Sequence, residues 1–370
     1  MKVALVTRRY PPLIGGAERV LSYLGPALAA EGLEVVVLTS RIPGVPDSEG
    51  SGRSRVERLK TSPLRFVGTT LYLRELDRWF ARNRVDLAYV SMLKHDAFAV
   101  VRQGQRRGFP VVLRPEGAGA TGDLAWQSWG RFGRTIGRRC RQADAFVAIS
   151  AAVRRELEAG GYDPARIVDL PNGVPIPPEP WTPRPTGTSF RAAFVGRLAP
   201  EKGLNSLVEA WPLVLQSCPG AHLTLIGEGP ERPGLEKRIV DLGLTPSIDL
   251  PGPSADPTAL LRGSDLFILP SLEEGMSIAL LEAMALAIPA VATAIPGNLA
   301  LMTDRFHGRL APPDNPPALA RTILAHRLDP EAPAMALAAR SRVIADFSIA
   351  AVARRHLDLF ARLIEGRAIG

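Results

Sequence analysis

The chain has 370 residues, a net charge of +8, and 46% hydrophobic against 22% charged residues. That length points to two domains rather than one, and the composition excludes a disordered chain. Two distant cysteines, Cys140 and Cys218, read as buried thiols of a reducing compartment rather than as a disulfide or metal pair; no histidine pair has metal spacing and no Gly-x-Ser-x-Gly occurs.

Residues Met1–Thr7 form an apolar run too short for a signal peptide and read as a first buried strand. That strand is placed at Val3–Val6, and further strands are predicted at Val35–Thr39, Leu87–Ser91, Val111–Arg114, Phe146–Ile149 and Ile167–Leu170. Helical patterns lie at Ala17–Glu31, Leu71–Asn83, Phe98–Arg107, Trp126–Arg141 and Ala151–Gly160. Pro171–Ser189 is rich in proline and poor in apolar residues, as a linker is. Strands then recur at Arg191–Val195, Leu223–Ile226, Ile248–Leu250, Leu266–Leu269 and Ala290–Ala292. Helices are predicted at Leu204–Gln216, Glu231–Asp241, Pro257–Gly263, Ser277–Leu286, Ala318–His326 and Ala350–Ile364. Alternating strands and helices imply parallel sheets covered on both faces. The expected fold class is therefore α/β, with two doubly wound Rossmann-like domains facing a central cleft and ligands at the strand carboxyl ends. The expected boundaries are 1–171, a linker at 172–189, and 190–350.

The strongest local signal is Ser271-Leu-Glu-Glu274-Gly275-Met276-Ser277-Ile278-Ala-Leu-Leu-Glu282-Ala283-Met284. Eight residues separate Glu274 from Glu282, a spacing that shares one helix face if the helix starts near Gly275. Carboxylates accept hydrogen bonds from hydroxyls, and a helix mouth offers free N–H groups to anions, so the motif suits a polyhydroxylated ligand bearing a diphosphate. Met276–Pro296 is apolar enough to suggest a membrane span, but Pro289, Pro296 and Glu282 argue for a buried helix and strand.

Phe194-Val-Gly196-Arg197-Leu-Ala-Pro-Glu-Lys202-Gly203 follows a strand and enters a helix. Gly196 permits a tight turn, and Arg197 and Lys202 place two cations beside a helix N-terminus, which suits a diphosphate. A second strand-end loop, Gly227-Glu-Gly229-Pro230, shapes the same pocket. Ile14-Gly15-Gly16-Ala17-Glu18 opens the first helix; a plain turn is the alternative there. Arg114-Pro-Glu116 follows another strand end, where the pair either orients a substrate or forms a surface ion pair. Trp126, Trp129, Phe132 and Ile136, among Arg131, Arg134, Arg138, Arg139 and Arg141, have the spacing of a basic amphipathic helix that rests on an anionic membrane or faces the core.

Charge is unevenly spread. Residues 1–170 hold 27 Lys+Arg against 17 Asp+Glu, so +10; the remaining 200 hold 18 against 20, so −2. The N-terminal half thus suits an acidic partner, such as an anionic membrane surface or an acidic glycan. No basic stripe interleaved with aromatics marks a nucleic-acid binder.

Taken together, Gly15-Gly16-Ala17-Glu18, Ile149-Ser150, Pro171-Asn172-Gly173-Val174, Gly196-Arg197 with Lys202-Gly203, Gly227-Glu-Gly229-Pro230 and Glu274-x7-Glu282 resemble the family 4 glycosyltransferases, retaining enzymes of the GT-B fold, over nearly the full length. The resemblance implies that Arg197 and Lys202 hold the diphosphate of a nucleotide-sugar donor, with the Gly16 backbone closing from the other domain. It implies that Glu282 binds the ribose, that Glu274 and the backbone of Gly275, Met276, Ser277 and Ile278 hold the donor sugar, and that Pro253 and Ser254 border the base. It implies a last helix, 351–370, crossing back onto the N-terminal domain, and protein cations in place of a required metal ion. UDP-sugars are the default donor, with a glycan or lipid-linked acceptor of cell-envelope synthesis, a cytoplasmic location and a peripheral membrane contact. Three positions depart from the family pattern: Arg114-Pro-Glu116 where a histidine is usual, Ile295-Pro296-Gly297-Asn298 where Gly-Gly-x-Pro-Glu is usual, and Met276 where an aromatic is common. Candidate catalytic residues are Glu274, Arg197, Lys202 and Glu116, with Arg114 on the acceptor side. A nucleotide-sugar epimerase of the same fold, or a non-catalytic sugar-nucleotide binder, is the alternative.

Overall fold

The structure is a computed structural model. It describes the whole chain except Ile14, residues 185–188, Ala255 and residues 369–370. The chain divides into two compact bodies. The first comprises Met1–Leu13, Ala17–Gly173 and Ile349–Ala368; the second comprises Val174–Ser348 together with Gly15 and Gly16.

The first body runs β1 (Lys2–Val6), α1 (Gly16–Ala30), β2 (Glu34–Ser40), β3 (Ser48–Ser51), β4 (Ser54–Leu59), α2 (Arg65–Arg82), β5 (Leu87–Ser91), α3 (His95–Arg107), β6 (Val111–Arg114), α4 (Asp123–Trp129), α5 (Gly133–Cys140), β7 (Ala145–Ala148), α6 (Ala151–Ala159) and β8 (Ile167–Asp169). Its eight strands lie in the order β3-β4-β2-β1-β5-β6-β7-β8, parallel throughout except for the β3–β4 hairpin. The strands β5, β6 and β7 are buried at every position, as expected where helices cover both faces. Each such Val or Leu contributes about 1.5–3 kcal/mol of burial.

The second body runs β9 (Arg191–Val195), α7 (Leu204–Ser217), β10 (His222–Ile226), α8 (Arg232–Asp241), β11 (Ile248–Gly252), α9 (Pro257–Arg262), β12 (Leu266–Leu269), α10 (Ile278–Ala285), β13 (Ala290–Thr293), α11 (Pro296–Leu299), β14 (Arg309–Ala311), α12 (Pro316–Arg327) and α13 (Ala332–Arg342). Its six parallel strands are ordered β11-β10-β9-β12-β13-β14. The order reverses beside β9, which pairs with β10 on one side and β12 on the other. A doubly wound sheet opens a ligand crevice at such a reversal.

The final helix, α14 (Ile349–Ala368), belongs to the first body. There Tyr89 Oη lies 3.3 Å from His356 Nε2, and a Cβ on Gly173 would press on Ile349 and Val352. The described part of the proline-rich stretch does not run free. Trp181 donates its backbone N–H to Leu286 O and its indole N–H to Ser264 O, and Arg262 and Arg340 donate to the carbonyls of Glu179 and Pro177.

Several elements differ from the sequence expectation. The predicted helix Trp126–Arg141 is two helices, α4 and α5, separated by a corner at Gly130–Phe132. Phe132 there adopts φ 63°. A Cβ on Gly130 or Gly133 would collide with Trp126 or the Gln127 backbone, so the corner needs both glycines. Trp126, Trp129, Phe132 and Ile136 therefore do not share one helix face. Three strands and two helices carried no sequence signal that was read: β3, β4, β14, α11 and α13. The cysteines are free thiols; Cys140 is buried, whereas Cys218 is only half-buried.

Candidate functional site

Two strand-end loops of the second body bring most of the candidate residues together. After β9 the chain turns at Gly196, where a Cβ would lie 2.7 Å from the Phe194 ring. It then forms a short 3-10 turn at Pro200–Lys202 and enters α7 through Gly203. Gly203 has φ 62°, and a Cβ there would strike the Pro270 carbonyl. Gly227 is more constrained still: φ is 155° and a Cβ would lie 1.8 Å from the Gly196 carbonyl oxygen. The loops after β9, β10 and β11 are laced by Gly196 N–H to Ile226 O, Leu198 N–H to Glu228 O and Gly227 N–H to Gly252 O.

The loop after β12 is joined to the first by two N–H donors, Leu272 and Glu273, both on Glu201 O. Glu274 Oε1 accepts from Lys202 Nζ at 2.6 Å and from Ser271 Oγ at 2.8 Å. Both partners of that ion pair are largely buried, at 19% and 9% side-chain exposure. Arg197 projects further, at 51% exposure, and pairs with Glu201. Burial opposes ionisation of Glu201, yet its own backbone N–H and Arg197 outweigh it and hold its carboxyl below the usual value.

Glu274 is not on the helix. It lies in the loop four residues before α10, and Ser277 caps that helix by accepting from Leu280 N–H. The shared-face expectation for Glu274 and Glu282 is thus corrected: the loop fold, not helical spacing, places Glu274. Glu282 lies inside α10 and is buried, as are Met276, Ser277 and Ile278. The loop also packs on α11, where a Cβ on Gly297 would collide with the Glu274 backbone. That close approach gives the Pro296-Gly297 departure a physical role. Pro253 is exposed and Ser254 half-buried; Ser254 Oγ accepts from Asp256 N–H. Gly15 is half-buried and Gly16 is the exposed first residue of α1; Ile14, of the same motif, is outside the described residues.

The first body gathers a different set. Arg114, at the end of β6, is 2% exposed. It donates to Ser91 Oγ at 3.2 Å and to Asn172 Oδ1 at 2.5 Å. Ser91 Oγ in turn donates to Glu116 Oε1 at 2.8 Å. The Glu116 backbone N–H donates to Asp123, which also faces Lys94 at 3.5 Å. Burial, then the negative charge of Asp123, push the Glu116 carboxyl up to about 7; Arg114 and the Ser91 hydroxyl partly offset this. The expectation of a surface ion pair is corrected: the Arg114 guanidinium is buried and donates to Ser91 and Asn172. Ser91, Asp123, Glu201 and Ser271 escaped the sequence reading. Glu201 had a signal in its i,i+4 spacing from Arg197, and Ser271 in its place three residues before Glu274.

Comparison with known proteins follows these loops. The Glycosyltransferase Family 4 model matches residues 14–176, and the Glycosyl transferases group 1 model matches 189–327. Between them they take in every motif described above except the last helix. The chain belongs to the family 4, group 1 glycosyltransferases. As a member of that family it is similar to glycogen synthase of Mycobacterium tuberculosis, 28% identical over 95% of this chain and 92% of that one. It is also 32% identical, over 52% of its length, to an exopolysaccharide phosphotransferase of Streptomyces coelicolor, of which it spans only 21%. In fold this glycosyltransferase is similar to sucrose-phosphate synthase of Thermosynechococcus elongatus, with a TM-score of 0.85 and 22% identity over 99% and 100% of the two chains. A similar likeness holds to Anabaena HepE in complex with UDP and glucose, with a TM-score of 0.81 and 20% identity over 98% and 99%. These likenesses establish two Rossmann-like domains of the GT-B class.

Proposed function

We propose that this glycosyltransferase is a retaining enzyme that transfers a sugar from a UDP-sugar to a glycan or lipid-linked acceptor in polysaccharide synthesis, without a required metal ion. The observation that carries the reading is the laced pair of loops at the β9/β12 reversal, where Arg197, Lys202 and Glu274 meet beside the N-termini of α7 and α10. Arg197 offers a forked donor set to a diphosphate and Lys202 a point charge. When the sugar–phosphate bond breaks, negative charge grows on the departing diphosphate, and cations already fixed in place lower that barrier. Each cation has a carboxylate partner, Glu201 or Glu274, so neither is left buried and unpaired without a ligand. Glu274 then has a second lone pair set for a sugar hydroxyl, and Glu282 for the ribose. Support for UDP comes from the HepE complex, and support for glycan synthesis from the glycogen synthase likeness.

The test is a thermal-shift panel of UDP, GDP, ADP and their sugar conjugates on the parent and on Arg197→Ala. A ligand at a hundred times its Kd raises stability by about 2.7 kcal/mol. UDP and one UDP-sugar are expected to stabilise the parent, with Kd weakened about tenfold to a hundredfold in Arg197→Ala by loss of charged hydrogen bonds. Stabilisation by GDP or ADP alone overturns the base assignment; stabilisation by none overturns the donor site. Proton NMR of the first-formed product, with chelator present, reads the anomeric outcome and the metal requirement; an inverted product or chelator-abolished turnover refutes those parts.

A further inference from the structure

The first body carries an exposed apolar surface that the donor chemistry does not use. Five large hydrophobic side chains from two distant segments stand in water: Leu64 (67% exposed), Phe66 and Val67 at the start of α2, and Trp129 (70%) and Phe132 at the α4–α5 corner. They are one patch rather than two, because Arg131 bridges them. Its guanidinium lies 4.7 Å from the centre of the Phe66 ring and 5.1 Å from that of Phe132. The corner also holds Phe132 at φ 63°, a conformation that costs a bulky L residue about 1–2 kcal/mol. The ring that this conformation turns outward remains 64% exposed.

Along the two segments that form the patch the charge is of one sign. No Asp or Glu occurs from Thr61 to Arg74 or from Leu124 to Ala143. Over the second stretch Arg131, Arg134 and Arg138 are exposed. Exposed aromatic and aliphatic side chains on segments that carry arginines and no acid match an anionic lipid surface: rings enter the headgroup boundary while arginines meet the phosphates. Among the described residues no helix is long and apolar enough to cross a membrane, so the contact is of the kind that lies on the surface.

We propose that the Leu64–Val67 turn and the Trp129–Phe132 corner form a docking face for an anionic bilayer. The face belongs to the first body and Arg197, Lys202 and Glu274 to the second, so its test is separate from that of the donor site. The full chain is sedimented with phosphatidylcholine vesicles with and without about one third phosphatidylglycerol. Binding is expected only to the anionic vesicles, and it should weaken with salt. Replacing Arg131, Arg134 and Arg138 by Gln should weaken it about a hundredfold, at roughly fivefold per cation near the surface. Trp129→Ser with Phe132→Ser, which leaves every charge in place, should weaken it at least about tenfold; an unchanged melting temperature shows that the variant is folded. Lipid-borne quenchers should dim the tryptophan fluorescence of the parent more than that of Trp129→Phe. Equal binding by the parent and the Trp129/Phe132 variant overturns the proposal, leaving charge alone as the cause. No binding to either vesicle also overturns it, and dimerisation in light scattering that the same variant abolishes would assign the face to a second copy of the chain.

Discussion

At the strand ends of the second body, opposite charges meet directly: Lys202 on Glu274, and Arg197 on Glu201 with the arginine half in water. At those of the first body, Arg114 is buried and reaches Glu116 only through the Ser91 hydroxyl, and the Glu116 carboxyl titrates near neutrality. The contrast follows from what surrounds each carboxylate. Glu274 has a cation at 2.6 Å, whereas Glu116 has a buried hydroxyl on one side and Asp123 on the other. One arrangement keeps fixed charges ready for an anionic ligand; the other keeps a proton that can come and go at physiological pH.

The comparison can be broken by disturbing one site at a time. The largest effect is expected from Gly227→Ala, whose methyl would collide with the Gly196 carbonyl oxygen. A loss of about 4 kcal/mol is expected, or roughly 8–16 °C in melting temperature. Nucleotide binding should fall with it. Survival of the parent melting temperature would mean that the β9 and β10 loops are not held by this contact. Next is Lys202→Met, which leaves the Glu274 carboxylate largely buried with Ser271 alone. That should cost about 3 kcal/mol of stability and at least about a hundredfold in kcat/KM. Lys202→Arg should recover part of both, and full activity in Lys202→Met would remove this lysine from the chemistry.

Glu116→Gln sharpens the other side of the contrast. Because the folded carboxyl is raised above its ordinary value to about 7, the native chain holds a proton that the unfolded chain releases as pH rises past about 4.5. Stability from this group is therefore complete at low pH and is lost as pH climbs through 7, by about 3 kcal/mol. Denaturant melts from pH 4 to 8 should show that falling limb in the parent and a flatter curve in Glu116→Gln, with Lys202→Met retaining the limb. An identical limb in parent and Glu116→Gln would assign the titration to another group. The smallest expected effect is a gain. Gly234 lies within α8, exposed, with open space where an added methyl would stand, so Gly234→Ala should add up to about 1 kcal/mol and leave both sites untouched. A loss at Gly234 would show that backbone entropy is not what sets the cost of these glycines.

Much of the α/β layout was legible because apolar runs between glycine-rich turns mark central strands; Leu87–Ser91, Arg191–Val195 and Leu266–Leu269 end where periodicity placed them. The edges were not. In β4, Arg55, Glu57 and Arg58 interrupt the apolar signal, and Arg58 is buried by an ion pair to Glu49 that no local pattern reveals. Hydrophobic spacing also ran through the Gly130–Phe132 corner, since periodicity records which residues are apolar and not where the backbone reverses. At the candidate site, residue types and loop positions were readable, but partners were not. Arg114 finds Asn172 58 positions away, and Lys202 finds Glu274 72 away. Ser277 is the local cue that was legible: the predicted helix Ser277–Leu286 starts at the residue that caps α10, and that start puts Glu274 outside the helix.

The return of α14 to the first body has a consequence for synthesis. The surfaces of Tyr89 and Gly173 stay uncovered until residues beyond Ile349 have been made, while the second body is complete in sequence by Ser348. On the ribosome, the body begun first is finished last. Chaperone demand should accordingly centre on the N-terminal half during translation, and a chain released before α14 should carry a folded second body beside a first body open along the groove that Ile349, Val352 and His356 close.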